Sequence, residues 1–263
     1  PDGLVIYVLI CPELYEREGT PYGANNGRDW PDNHIRFARL GLAAADIAAN
    51  LAQIHWCPDL VHAHVWPAGL APAYMHWRGQ RTPTLFTIHN LAYQGVVSLA
   101  SCPELGIPEH ALQQEGMEFY GTLSFLKAGM AYASHIATVS ATYAQEITTP
   151  AFGCGLDGFL ASKTQQGLLS GIPNGIDESW DAATDAHLLT PFSIGDWDGK
   201  AANAAHVRQM FGLDASSGPL FAVVSRLVYQ KGLDLTEAVA EFIVQSGGQI
   251  AIIGRGEPEE EQS

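Results

Sequence analysis

Residues 60–90, LVHAHVWPAGLAPAYMHWRGQRTPTLFTIHN, show most clearly how the chain is organised. Short aliphatic and β-branched runs at 60–64 and 84–89 predict two strands, and the segment 68–78 between them predicts a helix. Strands that are almost wholly apolar and are separated by helices are typical of parallel sheets covered on both faces. The stretch therefore predicts an α/β fold with a parallel sheet.

The same alternation of strand and helix patterns continues on both sides of this stretch. Asp32 and Asn33 are candidate caps for the helix that begins at residue 34. The pattern predicts further strands over 4–10, 135–140, 220–226 and 249–255, and further helices over 34–51, 122–133 and 233–245.

A weaker pattern over 156–213, rich in Gly, Ser, Asp, Asn and Thr, is interpreted as a crossing between two domains. The strand expected before Asn174 is taken as the first of the second domain, which puts the boundary near Gln166. The sequence thus predicts domains over 1–166 and 167–263, both of them incomplete.

Composition and charge exclude several classes of protein. The chain has 47% hydrophobic and 16% charged residues, and it has no apolar run near the roughly 20 residues that span a bilayer. Thirteen Lys and Arg against 28 Asp and Glu give a net charge of −15, which disfavours nucleic acid as a partner. The chain opens at Pro1 without a signal sequence, so an internal fragment is expected. The cysteines are scattered and show no metal-binding spacing, which indicates reduced thiols and a cytoplasmic location: Cys11, Cys57, Cys102 and Cys154.

Polar residues gather where the predicted strands end, and this is the edge at which parallel α/β sheets bind their ligands. One of His62 and His64 is expected to face a cleft and the other to pack against the protein. Arg226 and Lys231 are a basic pair suited to a diphosphate, with Gly232 and a helix N-terminus adding amide donors. For Arg226 and Lys231 the alternative is an ordinary surface pair in a βα loop. For His89, which ends the strand predicted over 84–89, the alternative is a buried structural histidine.

Two long segments carry a family resemblance: residues 60–75 and the FTIHNLAYQGV segment at 86–96. Together they resemble bacterial glycogen synthases and plant starch synthases. The same motif order continues in the segments 21–38, 118–130, 136–149, 168–178 and 220–236.

The resemblance implies a GT-B fold, with two Rossmann-like domains facing across a cleft. The first domain would hold an α-1,4-glucan acceptor and the second a nucleotide-sugar donor, ADP-glucose or UDP-glucose, with ADP-glucose favoured. Glucose would pass with retention to the non-reducing end of the glucan, without metal or other cofactor.

The resemblance also implies roles for individual residues. His89 would act catalytically by contacting a hydroxyl of the donor glucose and placing its carbonyl near the anomeric carbon, while Arg226 and Lys231 stabilise the departing diphosphate. The substrate-binding candidates are Tyr22, His64, Asn90, Asn174 and Gly254.

The sequence departs from the family pattern at the end of the first quoted strand. Val65 stands where the family has Asp, and Pro67 stands where it has His. Valine cannot accept a hydrogen bond, so orientation of His89 is expected to weaken, whereas proline fits a first helical turn. The family's N-terminal lysine and glycine-rich loop and its later glutamate motif are not found, so this piece alone is expected to be impaired or inactive.

Other functions remain open on this pattern. One is another GT-B transferase of the sucrose or trehalose type, which would share Arg226 and Lys231 but lack the HNLAYQG segment. A second is a non-catalytic relative that binds glucan or nucleotide, which Val65 favours. A dinucleotide oxidoreductase fits poorly, because no GxGxxG follows the first predicted strand.

Overall fold

The computed structural model describes residues 3–51 and 54–256, which form two compact units divided between Asn174 and Gly175. The helices of the first unit are α1 Pro12–Tyr15, α2 Asn33–Ala48, α3 Leu70–Trp77, α4 Phe125–Tyr132, α5 Ala141–Glu146 and α6 Asp157–Gln165. Its strands are β1 Val61–His64, β2 Thr84–Ile88, β3 Val96–Val97, β4 Glu118–Phe119, β5 Thr122–Ser124, β6 His135–Thr138 and β7 Leu169–Gly171. Short 3-10 turns cover Trp66–Ala68, Leu99–Ser101 and Glu109–Ala111.

The main sheet of the first unit has the order β1-β2-β6-β7, and all three pairings are parallel. One of its two central strands, β2, contributes Phe86 and Ile88, which are fully buried. Such burial on a parallel strand explains why the sequence reads as an aliphatic run without alternation. The parallel α/β prediction is confirmed, and the carboxyl ends of all four strands lie at one edge.

Helices α2, α3 and α4 pack together beside the sheet and bury one of the two apolar clusters of this unit. Small residues permit their close approach. A Cβ on Gly69 would overlap the carbonyl of Phe125, so the start of α3 can lie against α4 only with glycine at this position.

A small antiparallel sheet, β3-β5-β4, contradicts one helix prediction. The helix predicted over 122–133 starts only at Phe125, because 122–124 form β5. The connection from β4 to β5 is the two-residue turn Tyr120-Gly121, in which both residues have positive φ, 47° and 79°. This is the turn that suits the twist of a hairpin, so cross-strand pairing prevails over helix propensity here.

Two strand assignments from the sequence are also corrected. The strand predicted over 4–10 is wrong, because these residues form no strand and their aliphatic side chains are largely exposed. An apolar run gives strand propensity, but a strand also requires ladder hydrogen bonds from a neighbour. The strand before Asn174 is β7, which pairs with β6 in the first sheet and not in a second one. The observed division therefore lies after Asn174, whereas the predicted boundary lies near Gln166.

The second unit contains a two-stranded parallel sheet within residues 175–256. Its elements are a 3-10 turn at Glu178–Trp180, α7 Trp197–Met210, β8 Leu220–Val224, a 3-10 turn at Tyr229–Lys231, α8 Leu233–Gln245 and β9 Gln249–Ile253. Helix α8 has the predicted bounds, and β8 and β9 each end two residues earlier than predicted. Helix α7 was missed inside the supposed crossing, although Asp196 caps it by accepting from the Gly199 amide at 3.1 Å. Arg208 of α7 then donates to the Gln249 side chain at 2.6 Å.

Candidate active site

Three histidines form a cluster at the carboxyl edge of the first sheet: His62, His64 and His89, named here the histidine cluster. β1 ends at His64, and His89 directly follows β2. Because these strands are parallel neighbours with His64 opposite Thr87, their ends meet. His64 Nδ1 lies 3.0 Å from His89 Nε2, within hydrogen-bond distance. The structure thus brings the main catalytic candidate and a substrate-binding candidate into contact.

His62 lies on the same face of β1 as His64, and their ring centroids are 4.0 Å apart. The expectation that one of them packs inward is wrong, because both are exposed and the inward residue is Ala63. Residues two apart on a strand share a face, so positions 62 and 64 cannot point in opposite directions. His62 Nε2 is 2.7 Å from the Thr87 hydroxyl of β2.

Although both side chains are exposed, partial desolvation by the surrounding protein lowers the pKa of His62 below its ordinary value, and the nearby His89 lowers it further. Partial desolvation also lowers the pKa of His64, followed by the effects of His62 and His89. Both rings are therefore held in the neutral form near neutral pH, in which each has one donor and one acceptor nitrogen. In the His64–His89 contact one ring must donate and the other accept, which couples the tautomer of one to that of the other. Among the described residues, no group of three or more His, Cys, Asp or Glu side chains has an arrangement able to hold a metal ion.

Val65 follows β1 in a strained backbone conformation, with φ 54° and ψ 170°. A β-branched residue with positive φ is an outlier that the surrounding structure must enforce. Here the Val65 amide donates to the Thr87 carbonyl at 3.1 Å, which extends the β1–β2 ladder by one bond. Pro67 occupies the start of the 3-10 turn Trp66–Ala68, where its missing N–H costs nothing, as the sequence predicted.

Trp66 connects Tyr22 to the end of β1. The Tyr22 ring is 6.0 Å from the Trp66 ring, and Phe37 meets Trp66 edge-on at 4.7 Å. Gly95, in the loop after β2, has φ 61°, and a Cβ there would overlap the Trp66 ring. The glycine of the HNLAYQG segment is therefore required by this aromatic packing. Tyr22 remains 43% exposed, so its ring is positioned by packing while one side stays open to a ligand.

The two asparagine candidates occupy different places at the same sheet edge. The Asn90 side-chain oxygen accepts from the Ala92 amide at 3.0 Å and so shapes the loop after His89. Asn174 is exposed and comes three residues after β7. Since β7 is two strands away from β2, the two strand ends are separated by ~10 Å.

The remaining candidates lie in the second unit. Arg226 follows β8, and Lys231 ends the 3-10 turn that precedes α8; both are exposed. Gly232 caps α8 with φ 69°, a left-handed conformation suited to glycine. A Cβ on Gly254 would overlap the Ser225 carbonyl, so close packing of the loops after β8 and β9 already requires this glycine. Its substrate-binding role stays a prediction.

One cavity was missed by the sequence reasoning. It has a volume of about 930 Å³, and it lies between the β4–β5 hairpin and α6; it is named here the hairpin cavity. Its lining includes Phe119, Tyr120, Lys127, Phe159 and Lys163. Sequence analysis predicted a helix over 122–133 and so no hairpin here; the Tyr-Gly pair at 120–121 was the signal that could have indicated the turn.

The fold and the strand-end residues define the class of the chain: it is an α/β protein of the GT-B type, with a parallel sheet in each unit. Residues 1–162 match the family model described as starch synthase catalytic domain. The chain belongs to this family.

Individual relatives agree with this assignment. Over the whole chain it is 99% identical to a glycogen synthase of Pseudomonas fluorescens, and over 262 residues it is 81% identical to one of Pseudomonas putida and 59% identical to one of Pseudomonas aeruginosa. The chain spans 50%, 50% and 51% of these relatives, about half their length. It also resembles the catalytic domain of starch synthase IV from Arabidopsis thaliana bound to ADP and acarbose, with a TM-score of 0.80 and 29% identity over 89% of this chain and 49% of that one.

Proposed function

We propose that a full-length protein containing this chain is a glycogen synthase, which transfers glucose with retention from ADP-glucose to the non-reducing end of an α-1,4-glucan. The observation that carries the proposal is 99% identity to a glycogen synthase across all 263 residues. ADP bound to the Arabidopsis relative supports an adenine nucleotide as the leaving group.

In this proposal the histidine cluster acts on the donor glucose. His89 is exposed at a strand end and contacts His64, so its ring is oriented before substrate arrives. The imidazole of His89 can hydrogen-bond a sugar hydroxyl, and the His89 carbonyl would stabilise positive charge that develops at the anomeric carbon. Tyr22, His64, Asn90 and Asn174 would bind the sugar and the acceptor.

The second unit would hold the nucleotide. Arg226 offers a planar pair of donors and Lys231 a compact charge, and the N-terminus of α8 adds amide donors beside them. These groups suit the negative charge that develops on the departing diphosphate. Gly254 would allow backbone to approach the nucleotide, and the first unit would bind the acceptor while the second binds the donor.

A cytoplasmic location is part of the same proposal. All four cysteines are free in the described residues, as expected in a reducing compartment. Within residues 3–51 and 54–256, no helix combines the length and apolar character needed to cross a bilayer.

The test is incorporation of labelled glucose into glycogen by the full-length protein, with ADP-glucose and UDP-glucose compared at equal concentration. ADP-glucose should be the better donor, and His89→Ala should lower kcat more than it weakens donor binding, since its contacts strengthen in the transition state. His135→Gln is a matched control, because His135 lies at the opposite end of the same sheet and bonds Ser170 at 2.9 Å. Glucose transfer that survives His89→Ala at saturating donor would refute the catalytic role.

A non-catalytic relative that binds glucan or nucleotide is the second candidate, and the strained Val65 in place of the family's Asp favours it. Binding of ADP-glucose and glycogen without any transfer by the full-length protein would establish this alternative.

A further inference from the structure

We propose that Tyr143 of α5 is a positioning residue for glucose transfer, because its hydroxyl fixes the backbone that follows His89. The Tyr143 hydroxyl accepts a hydrogen bond from the Leu91 amide at 3.0 Å, and Leu91 lies two residues after His89. Tyr143 would therefore act on the reaction without contacting the substrate. The inference deepens the proposed function and rests on it, since it names a residue that keeps the His89 carbonyl in its catalytic direction.

The Leu91 amide is enclosed by protein, so its hydrogen bond to Tyr143 has a large effect. Leu91 is 0% exposed and belongs to the apolar cluster that contains Phe86 and Ile88 of β2. A buried amide that loses its acceptor costs free energy, because water does not replace the lost hydrogen bond. Leu91 is thus anchored through its side chain and through Tyr143, which leaves the backbone beside it little freedom.

Tyr143 is itself held at the end of the strand next to β2. The Ser140 hydroxyl caps α5 by accepting from the Tyr143 amide at 3.2 Å, and the Thr138 hydroxyl donates to the Ser140 carbonyl at 2.8 Å. A serine cap of this kind satisfies an amide of the first turn and stabilises the start of the helix. Thr138 ends β6 and lies opposite Ile88, the last residue of β2, in the parallel ladder. The hydrogen bond from Leu91 to Tyr143 therefore joins the segments that leave two neighbouring strands.

The far end of the loop after His89 is held by a different set of hydrogen bonds. The Gln94 carbonyl accepts from the Leu126 amide at 3.0 Å, and the Gln94 side-chain amide donates to the Cys154 carbonyl at 3.0 Å. Neither of these bonds involves Tyr143. Removal of the Tyr143 hydroxyl should therefore loosen the loop beside His89, while the end of the loop beside α4 stays in place.

The contacts made by His64 and by Tyr143 restrain different parts of this site. The contact of 3.0 Å with His64 holds the imidazole ring of His89, whereas the direction of the His89 carbonyl depends on the backbone torsions between His89 and Leu91. A carbonyl that stabilises charge at the anomeric carbon must already point there, because a small misplacement of a catalytic group lowers the rate strongly. Loss of the Tyr143 restraint should thus lower kcat. Donor binding should change little, because the proposed nucleotide contacts lie in the second unit.

The first test is glucose transfer to glycogen by the full-length protein with Tyr143→Phe, which removes the hydroxyl and keeps the ring. The variant should lower kcat about tenfold and change the KM for ADP-glucose by less than about twofold. Tyr74→Phe is the matched control, because the Tyr74 hydroxyl donates to the Leu105 carbonyl at 2.7 Å and both residues belong to the apolar cluster buried by α2, α3 and α4. Both variants should lower Tm, but only Tyr143→Phe should lower kcat. Unchanged kcat in Tyr143→Phe, or an equal loss of kcat in Tyr74→Phe, would overturn the proposal.

The second test is hydrogen exchange, measured by mass spectrometry of overlapping peptides, which requires no transfer activity. In the unmodified full-length protein the Leu91 amide should exchange slowly, and in Tyr143→Phe it should exchange about tenfold faster. The Leu126 amide is the internal control and should exchange equally in both proteins. Fast exchange at Leu91 in the unmodified protein, or an equal rate in Tyr143→Phe, would refute the inference even where glucose is transferred. A protected Leu91 amide that Tyr143→Phe exposes, in a full-length protein that transfers no glucose, would instead refute the proposed function and leave the Tyr143 contact established.

Discussion

The backbone strain at Val65 predicts that Val65→Gly is more stable than Val65→Ala, the reverse of the order expected in an ordinary strand. A non-glycine residue in such a conformation costs ~1–3 kcal/mol, and alanine keeps that cost because it has a Cβ. Glycine removes the cost but loses ~0.5–1 kcal/mol of backbone entropy relative to alanine. Both substitutions lose the same half-buried valine side chain apart from one methyl group. Val65→Gly should therefore be about 1 kcal/mol more stable than Val65→Ala.

Val61 provides the matched control for this comparison. It is a half-buried valine at the start of β1, the strand that Val65 follows, and it is not among the residues with positive φ. At that position alanine should be the more stable replacement by ~0.5–1 kcal/mol, as in an ordinary strand. Equilibrium urea unfolding of the four variants of the full-length protein, followed by far-UV circular dichroism, measures both differences. If glycine is the less stable residue at both positions, the strain at Val65 does not exist.

Further predictions concern acidity and catalysis. His62 and His64 have folded-state pKa values below the ordinary 6.5, so the unfolded chain binds more protons below about pH 6.5 and the stability of the fold should fall on acidification. The variant with both His62 and His64 replaced by Gln should therefore show a smaller fall in Tm than the unmodified protein between about pH 7.5 and 5.5. Arg226→Ala should remove about 2 to 4 kcal/mol of transition-state stabilisation and lower kcat/KM accordingly. Arg81→Ala, at an exposed arginine, is the control and should leave kcat/KM unchanged; equal effects of the two substitutions would remove Arg226 from the site. Val65→Asp should raise the rate of glucan elongation about tenfold or more, and equal rates would show that Val65 is a harmless substitution.

The contact between His64 and His89 changes the reasoning about Val65. The sequence predicted that loss of the family's aspartate weakens the orientation of His89, but His64 contacts His89 at Nε2 and so restrains its ring. Sequence analysis placed both histidines at strand ends but did not predict that they are in contact, since no local pattern indicates which strand ends are neighbours. The pairing of β1 with β2 supplies that information.

Local patterns were sufficient for the parallel α/β class, most strand and helix positions, and the residues at the strand ends. Apolar runs and helix periodicity record which side chains must be buried, and this holds wherever the elements finally pack. The bounds of α8 and the place of Pro67 were predicted for the same reason, because propensity and capping act within a few residues.

Only tertiary structure decided which elements pair and what they enclose. The run at 4–10 has strand propensity but no ladder, β7 joins the first sheet through β6, and the Tyr120-Gly121 turn makes a hairpin from an expected helix. The hairpin cavity arises because that turn brings Tyr120 near α6, more than thirty residues away along the chain. Long-range hydrogen bonds and packing set these choices, and the free energy of such contacts depends on partners that no local stretch of sequence contains.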